Sequence, residues 1–318
     1  MESLVFSLNN TVPLFAVMVL GYVLKQKNFF SDAFIADANR LVFYVSLPVL
    51  LFLDMAQTDV RAAFDGPYLL FCLGATLASI LLIWGGAHLF IRDKAQIGEF
   101  VQASYRSSAA ILGTALISMI YGASGATGLM LLGSVPLYNI FAVLVLVLES
   151  PDPAAQGQPL GLRLKNSLRR ILCNPILLGI FLGLAAGLLH LPLPAALAST
   201  LSQLSRLTMP LALLAIGAGF RGRAALGRLR LTTAAALIKL MVLPALCLPL
   251  AVRFGFTGER LVGVLVMTGS ITTPASYVMA RQMGHEGTLT GSVCAATTLF
   301  SALTLTFWLF LCRALGWL

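Results

Sequence analysis

The stretch "GSITTPASYVMARQMG", residues 269–284, sets Ser270, Thr272, Thr273, Pro274 and Ser276 into an otherwise apolar run. A proline inside a helix removes a backbone hydrogen bond and clashes with the preceding turn, costing about 3 kcal/mol or more. The stretch therefore reads as a helix interrupted among hydroxyl groups, and the rest of the chain decides what such an interruption is for.

Of the 318 residues 58% are hydrophobic and only 10% charged, against about 25% charged in an ordinary globular domain. This is the composition of an integral membrane protein. Apolar runs of about twenty residues, enough to cross a bilayer core of about 30 Å, occur at 5–24, 38–56, 68–91, 99–120, 127–148, 170–190, 195–219, 229–251, 259–281 and 288–311. The alternating pattern of a membrane barrel is absent from these ten runs, so helices are expected. The longest connection, Glu149 to Ser167, is rich in Pro and Gly and reads as a linker. The opening Met-Glu lacks a basic region, so the first run is expected to be a retained helix. The five cysteines, Cys72, Cys173, Cys247, Cys294 and Cys312, fall in or at the ends of apolar runs and are expected to be packing residues rather than a disulfide framework.

Charge orients the bundle. With an outward amino end, fourteen Lys and Arg residues fall in inward loops and four on the opposite side. That bias places both termini outside, and it accounts for the net charge of +9 without a nucleic-acid surface. The three remaining cations, Arg106, Arg206 and Lys239, fall within apolar runs.

Displacing the sequence by 162 positions aligns Pro13 with Pro175, Gly21 with Gly183, Pro48 with Pro210, Gly122 with Gly284 and Gly125 with Gly287. Five helices per repeat is an odd number, so the second repeat starts on the opposite membrane face and the two are inverted. Residues 1–148 form the first repeat, 149–168 a cytoplasmic linker and 169–318 the second. Inverted repeats with interrupted helices and a binding site near the bilayer midplane are the arrangement of secondary transporters. The repeat mate of the opening stretch is "SYRSSAAILGTALISMIYG", residues 104–122, with Ser107, Ser108 and Gly113.

The segments "LVFYVSLPVLLF" (41–52), "VPLYNIFAVLVL" (135–146), "CNPILLGIFLGL" (173–184), "MPLALLAIGAGF" (209–220), "KLMVLPAL" (239–246) and "TPASYVMARQMG" (273–284) resemble, in order, the auxin efflux carrier family of membrane transport proteins, whose bacterial members include malonate and malate transporters. The resemblance implies an all-α fold of ten transmembrane helices in two inverted five-helix repeats, with broken, crossing fourth and ninth helices similar to those of the bile acid symporters. One departure stands out. Where the family has a Gly-X-Pro element in the fourth helix, this chain has Gly113-Thr114-Ala115, preceded by Arg106-Ser107-Ser108.

An ionisable group inside the membrane costs at least about 2.5 to 3.5 kcal/mol on the insertion scale. Arg106, Arg206 and Lys239 carry that cost with no Asp or Glu expected at comparable depth, Asp54 falling at the outer end of the second run. Cations without carboxylate partners call for an anion, which an arginine binds through two parallel hydrogen bonds. The expected substrate-binding set is Arg106, Ser107, Ser108, Asn139, Arg206, Thr272, Thr273, Pro274 and Ser276, with Lys239 in a coupling or structural role. Asn174 before Pro175 reads as a helix N-cap.

An enzyme is not expected: His88, His190 and His285 stand near helix ends, and the nucleophile and metal motifs of membrane hydrolases are missing from the sequence. No resident cofactor or metal is expected either. The reading is a transporter of a small organic anion, malonate-, malate- or auxin-like, in the inner membrane. A passive anion channel and a sodium-coupled symporter remain the alternatives, and the coupling ion, Na+ or H+, and a homodimeric state are left open by these features.

Overall fold

The computed structural model describes residues 2–57, 65–110, 114–121, 125–151, 173–189, 191–220 and 222–318, and within them the chain is helical apart from turns and one isolated antiparallel bridge. Gly113 and most of the expected linker lie outside the described residues. Among the described residues, six helical spans are long and apolar enough to cross a membrane: Asp32–Ala56, Gly66–Phe90, Ala126–Leu148, Ala195–Gly219, Leu229–Arg253 and Thr288–Ala314. Two shorter apolar helices accompany them, Val12–Gln26 and Pro175–Leu188.

In chain order, the first half holds α1 (Glu2–Gln26), α2 (Asp32–Leu41), a π-helical turn at Val42–Ser46, α3 (Leu47–Ala56), α4 (Gly66–Phe90), α5 (Ile97–Tyr105), α6 (Thr114–Tyr121) and α7 (Gly125–Leu148). The second half holds α8 (Pro175–Leu188), α9 (Ala195–Arg206), α10 (Thr208–Gly219), α11 (Gly222–Gly227), α12 (Leu229–Leu237), a π-helical turn at Ile238–Val242, α13 (Leu243–Arg253), α14 (Gly258–Gly269), α15 (Ala275–Gln282) and α16 (Thr288–Ala314).

Local chemistry starts these helices where the residues require it. Asn174 caps α8 as expected, its side chain accepting from the Ile176 N–H at 2.9 Å with Pro175 in the first turn. Asp65 caps α4 in the same manner, accepting from the Tyr68 N–H at 3.2 Å ahead of Pro67. Capping side chains of this kind satisfy amide groups that a helix leaves unpaired at its start.

Glycines set the closest helix approaches. Gly21 of α1 lies against the backbone of Leu214 in α10, and Gly217 of α10 against the backbone of Met18 and Tyr22 in α1. Across the bundle, Gly179 and Gly183 of α8 meet the backbone of Pro48 and Phe52 in α3. In lipid, where apolar side chains gain little by leaving their surroundings, such close backbone contact is a principal source of helix association.

One expectation from the sequence needs correction. Four of the cysteines are buried packing residues, but Cys173 is exposed. A carboxylate is also fully buried: Glu99 of α5, 1% exposed. It accepts from the Gly287 N–H at 2.8 Å, the Thr290 N–H at 3.0 Å and the Thr290 hydroxyl at 3.1 Å. It thereby caps the start of α16 from another helix, where the positive end of the helix dipole favours a negative charge.

Candidate functional site

The fourth and ninth apolar runs are both interrupted. α5 ends at Tyr105, and Arg106 turns to an extended conformation (φ −69°, ψ 124°). α14 ends at Gly269, Ser270 is likewise extended (φ −82°, ψ 175°), and α15 begins after Pro274. The two extended segments meet as an antiparallel bridge between Ser107 and Thr272, with the Ser108 N–H donating to the Ile271 carbonyl at 3.0 Å. The fourth run thus breaks without a proline, because the ninth supplies backbone partners at the point of interruption.

Neighbouring elements satisfy the groups that the breaks free, as they must where water is scarce. The Thr272 hydroxyl donates to the Ala103 carbonyl at 2.8 Å, and the Thr272 N–H donates to the Thr297 hydroxyl of α16 at 3.1 Å. The Lys239 ammonium, wholly buried, donates to the Tyr105 carbonyl at 2.8 Å and to the Ser107 hydroxyl. Ser107 and Tyr138 both donate to the Met267 carbonyl, Tyr138 at 2.6 Å. Lys239 is therefore placed at the carboxyl end of α5, where the helix dipole is negative and a cation is favoured. Lys239→Met should lower the thermal unfolding temperature of the purified protein. The two lost charge-assisted bonds are each worth about 1.5 to 3 kcal/mol, and an unchanged midpoint in detergent would show that they add nothing to stability.

Beside the bridge lies a cavity of about 60 Å³. Its polar lining comprises Asp54, Arg106, Ser107, Ser108, Tyr138, Asn139, Thr208 and Thr273. Arg106 is 2% exposed. Its Nη2 donates to Asn139 Oδ1 at 2.7 Å and its Nη1 to the Met279 sulfur at 2.8 Å, while Nε has no hydrogen-bond partner. Asn139 is held in turn by its own amide N–H donating to the Val135 carbonyl at 2.9 Å. The Thr208 hydroxyl is a second buried polar group without a partner. A guanidinium served by neutral acceptors and left one acceptor short is arranged to receive a further one.

Of the residues singled out in the sequence, Arg106, Ser107, Ser108, Asn139 and Thr273 line this cavity. Thr272, Pro274 and Ser276 belong to the crossing but not to the lining. Thr272 is spent on backbone contacts, and Ser276 is buried with its carbonyl accepting from Gln102 at 3.1 Å. Arg206 is not brought to the cavity: it is exposed at the carboxyl end of α9, two residues before Thr208, which does line it. Asp54, Tyr138 and Thr208 are lining residues absent from the sequence-derived set. A signal for Asp54 exists in the sequence, since it is the one charged residue within "LPVLLFLDMA". Asp54, expected at the outer end of the second run, lies two residues before the end of α3 and also contributes to this lining.

A multi-spanning helical bundle with a buried polar cavity built where two interrupted helices meet is a membrane transporter in class. This chain belongs to the membrane transport protein family, whose model matches residues 6–309. It is 22% identical to a protein named "Uncharacterized transporter YfdV" of Escherichia coli (strain K12), over 98% of this chain and 99% of the relative. It is 26% identical to one named "Putative malonate transporter" of Rhizobium meliloti (strain 1021), over 95% of each. The resemblance to the auxin efflux carriers noted in the sequence accords with these matches.

Proposed function

We propose that this protein is a secondary transporter carrying a small organic anion, a malonate-like carboxylate, across the inner membrane by alternating access. The observation that carries the reading is Arg106, a buried cation in a cavity wall, with neutral partners at both Nη atoms and an unpaired Nε. A carboxylate would supply the missing charge and acceptor, and the hydroxyls of Ser108, Thr208 and Thr273 surround the space it would enter. The malonate in the name of the Rhizobium relative favours the same substrate class.

The architecture proposed with it is ten spans in two inverted five-helix repeats, residues 1–148 and 169–318, joined by a cytoplasmic linker with both termini outside. The helix contacts support the repeat. Gly21 against Leu214 and Gly183 against Phe52 are the same contact with its partners exchanged, each glycine and each partner related by the displacement of 162 found in the sequence.

Proteoliposomes loaded with unlabelled malonate should take up labelled malonate saturably and by counterflow. Uptake that rises linearly with concentration and shows no counterflow would identify a passive pore. Robust transport of a neutral solute, indifferent to excess dicarboxylate, would reject the anion reading.

A further inference from the structure

α4 faces α12, the second π-helical turn and α13 across a groove of about 540 Å³. Large exposed side chains form its rims, Leu82 and Phe90 on α4 and Leu246 and Leu250 on α13, while Ile83 and Cys247 are buried in its floor. Gly86 of α4 widens it, since nothing lies within 4 Å of a Cβ there. From Ala75 to Ile91 the lining runs about 24 Å at 1.5 Å per residue, most of the depth of a bilayer core of about 30 Å. Both walls belong to spans long and apolar enough to cross a membrane, so the surroundings of this surface are lipid.

The groove is apolar along its length and basic at one end. Ile91 and Leu231 line it there, and the residues next to them are Arg92 and Arg230, both exposed, with Lys94 two residues beyond Arg92. The acids of the neighbouring elements are engaged locally: Asp93 accepts from the Ala95 N–H at 3.2 Å and from the Gln96 amide, Glu99 caps α16, and Glu286 pairs with Arg228. At the opposite end, Leu250 is followed by Arg253 three residues on. A second copy docked here about a twofold axis along the membrane normal would set the two basic ends side by side, where like charges oppose association. An anionic lipid matches both parts of the groove, as lipid headgroups match basic pockets between transmembrane helices. We propose that this groove binds an anionic phospholipid from the surrounding bilayer, one acyl chain lying along the apolar lining and the headgroup phosphate held by Arg92 and Arg230. Ile238 and Val242 of the lining bound the π-helical turn that carries Lys239, so the bound chain packs against the element whose ammonium holds the crossing.

Purified protein in detergent should retain phosphatidylglycerol in native mass spectra in preference to phosphatidylcholine with the same acyl chains, and added phosphatidylglycerol should raise its unfolding midpoint, since a ligand of the folded state stabilises it by mass action. Arg92→Gln combined with Arg230→Gln should weaken phosphatidylglycerol binding about tenfold or more, at about fivefold for each basic residue. Arg253→Gln, beyond the other end of the groove, should leave it unchanged. Gly86→Leu, whose side chain has room to enter the groove, should fold as the wild type does and lose the lipid-dependent rise in midpoint. Equal retention of the two lipids overturns the proposal, as does phosphatidylglycerol binding that survives both the paired arginine substitution and Gly86→Leu. A dimer in the mass spectra that Gly86→Leu dissociates also overturns it, by making a second copy the occupant.

Discussion

Replacing Arg106 by Gln should weaken malonate binding by at least about tenfold, equivalent to about 1.4 kcal/mol, while the folded protein loses little or no thermal stability. The two halves of this expectation have one cause. A guanidinium 2% exposed, with neutral partners and an unpaired Nε, has given up its hydration for an incomplete set of hydrogen bonds. A buried charge in that condition burdens the empty protein, whereas the same deficit is what a carboxylate repairs on binding. Arg106→Lys should recover only part of the affinity, because one ammonium cannot keep the hold on Asn139 and Met279 and also present a planar pair of donors. Binding followed by tryptophan fluorescence, beside unfolding midpoints of the same preparations, separates the possibilities. A structural arginine would show the reverse pattern, an unchanged affinity and a midpoint that falls.

Gly217→Val is expected to be the most damaging single change to the fold. The residue lies in α10, where helix propensity alone would favour almost any other side chain over glycine by up to about 1 kcal/mol. Packing reverses that sign. A Cβ at Gly217 would fall on the backbone carbonyl of Met18 and beside the amide of Tyr22 in α1, and a backbone cannot swing aside as a side chain can. The helices must separate, which costs the contacts along their length as well as those at the glycine, a loss of about 3 kcal/mol or more by comparison with overpacked cores. Gly85→Ala in α4 is the control, since nothing lies within 4 Å of a Cβ there. That variant should match or slightly exceed the wild type in unfolding temperature. Equal midpoints for all three proteins would mean that the α1–α10 contact does not hold the bundle together.

The elements themselves were largely legible. Runs such as 195–219 coincide with observed helical spans because a bilayer demands about twenty apolar residues whatever they pack against. Asn174 ahead of Pro175 marked a helix start, since that pairing has a local cause. The interruption around Pro274 was visible for the same reason. The matching break after Tyr105 has no proline of its own, and its cause is a partner 165 residues away, the Thr272 end of the bridge.

What the sequence could not decide is which way each polar residue faces. Arg206 and Asp54 each stand in a mostly apolar run, yet Arg206 is exposed and Asp54 lines the cavity with Arg106. In a water-soluble protein the polar stripe of a helix shows which side faces out. In a membrane protein the lipid is as apolar as the protein interior, so hydrophobicity alone cannot set the rotation of a helix about its axis. The sequence therefore determined where the chain is helical, that it breaks before Pro274 and that it lies in a bilayer. Glycine contacts between backbones and hydrogen bonds across the crossing, such as Lys239 to Tyr105, decided the rotations, and with them which side chains meet in the cavity.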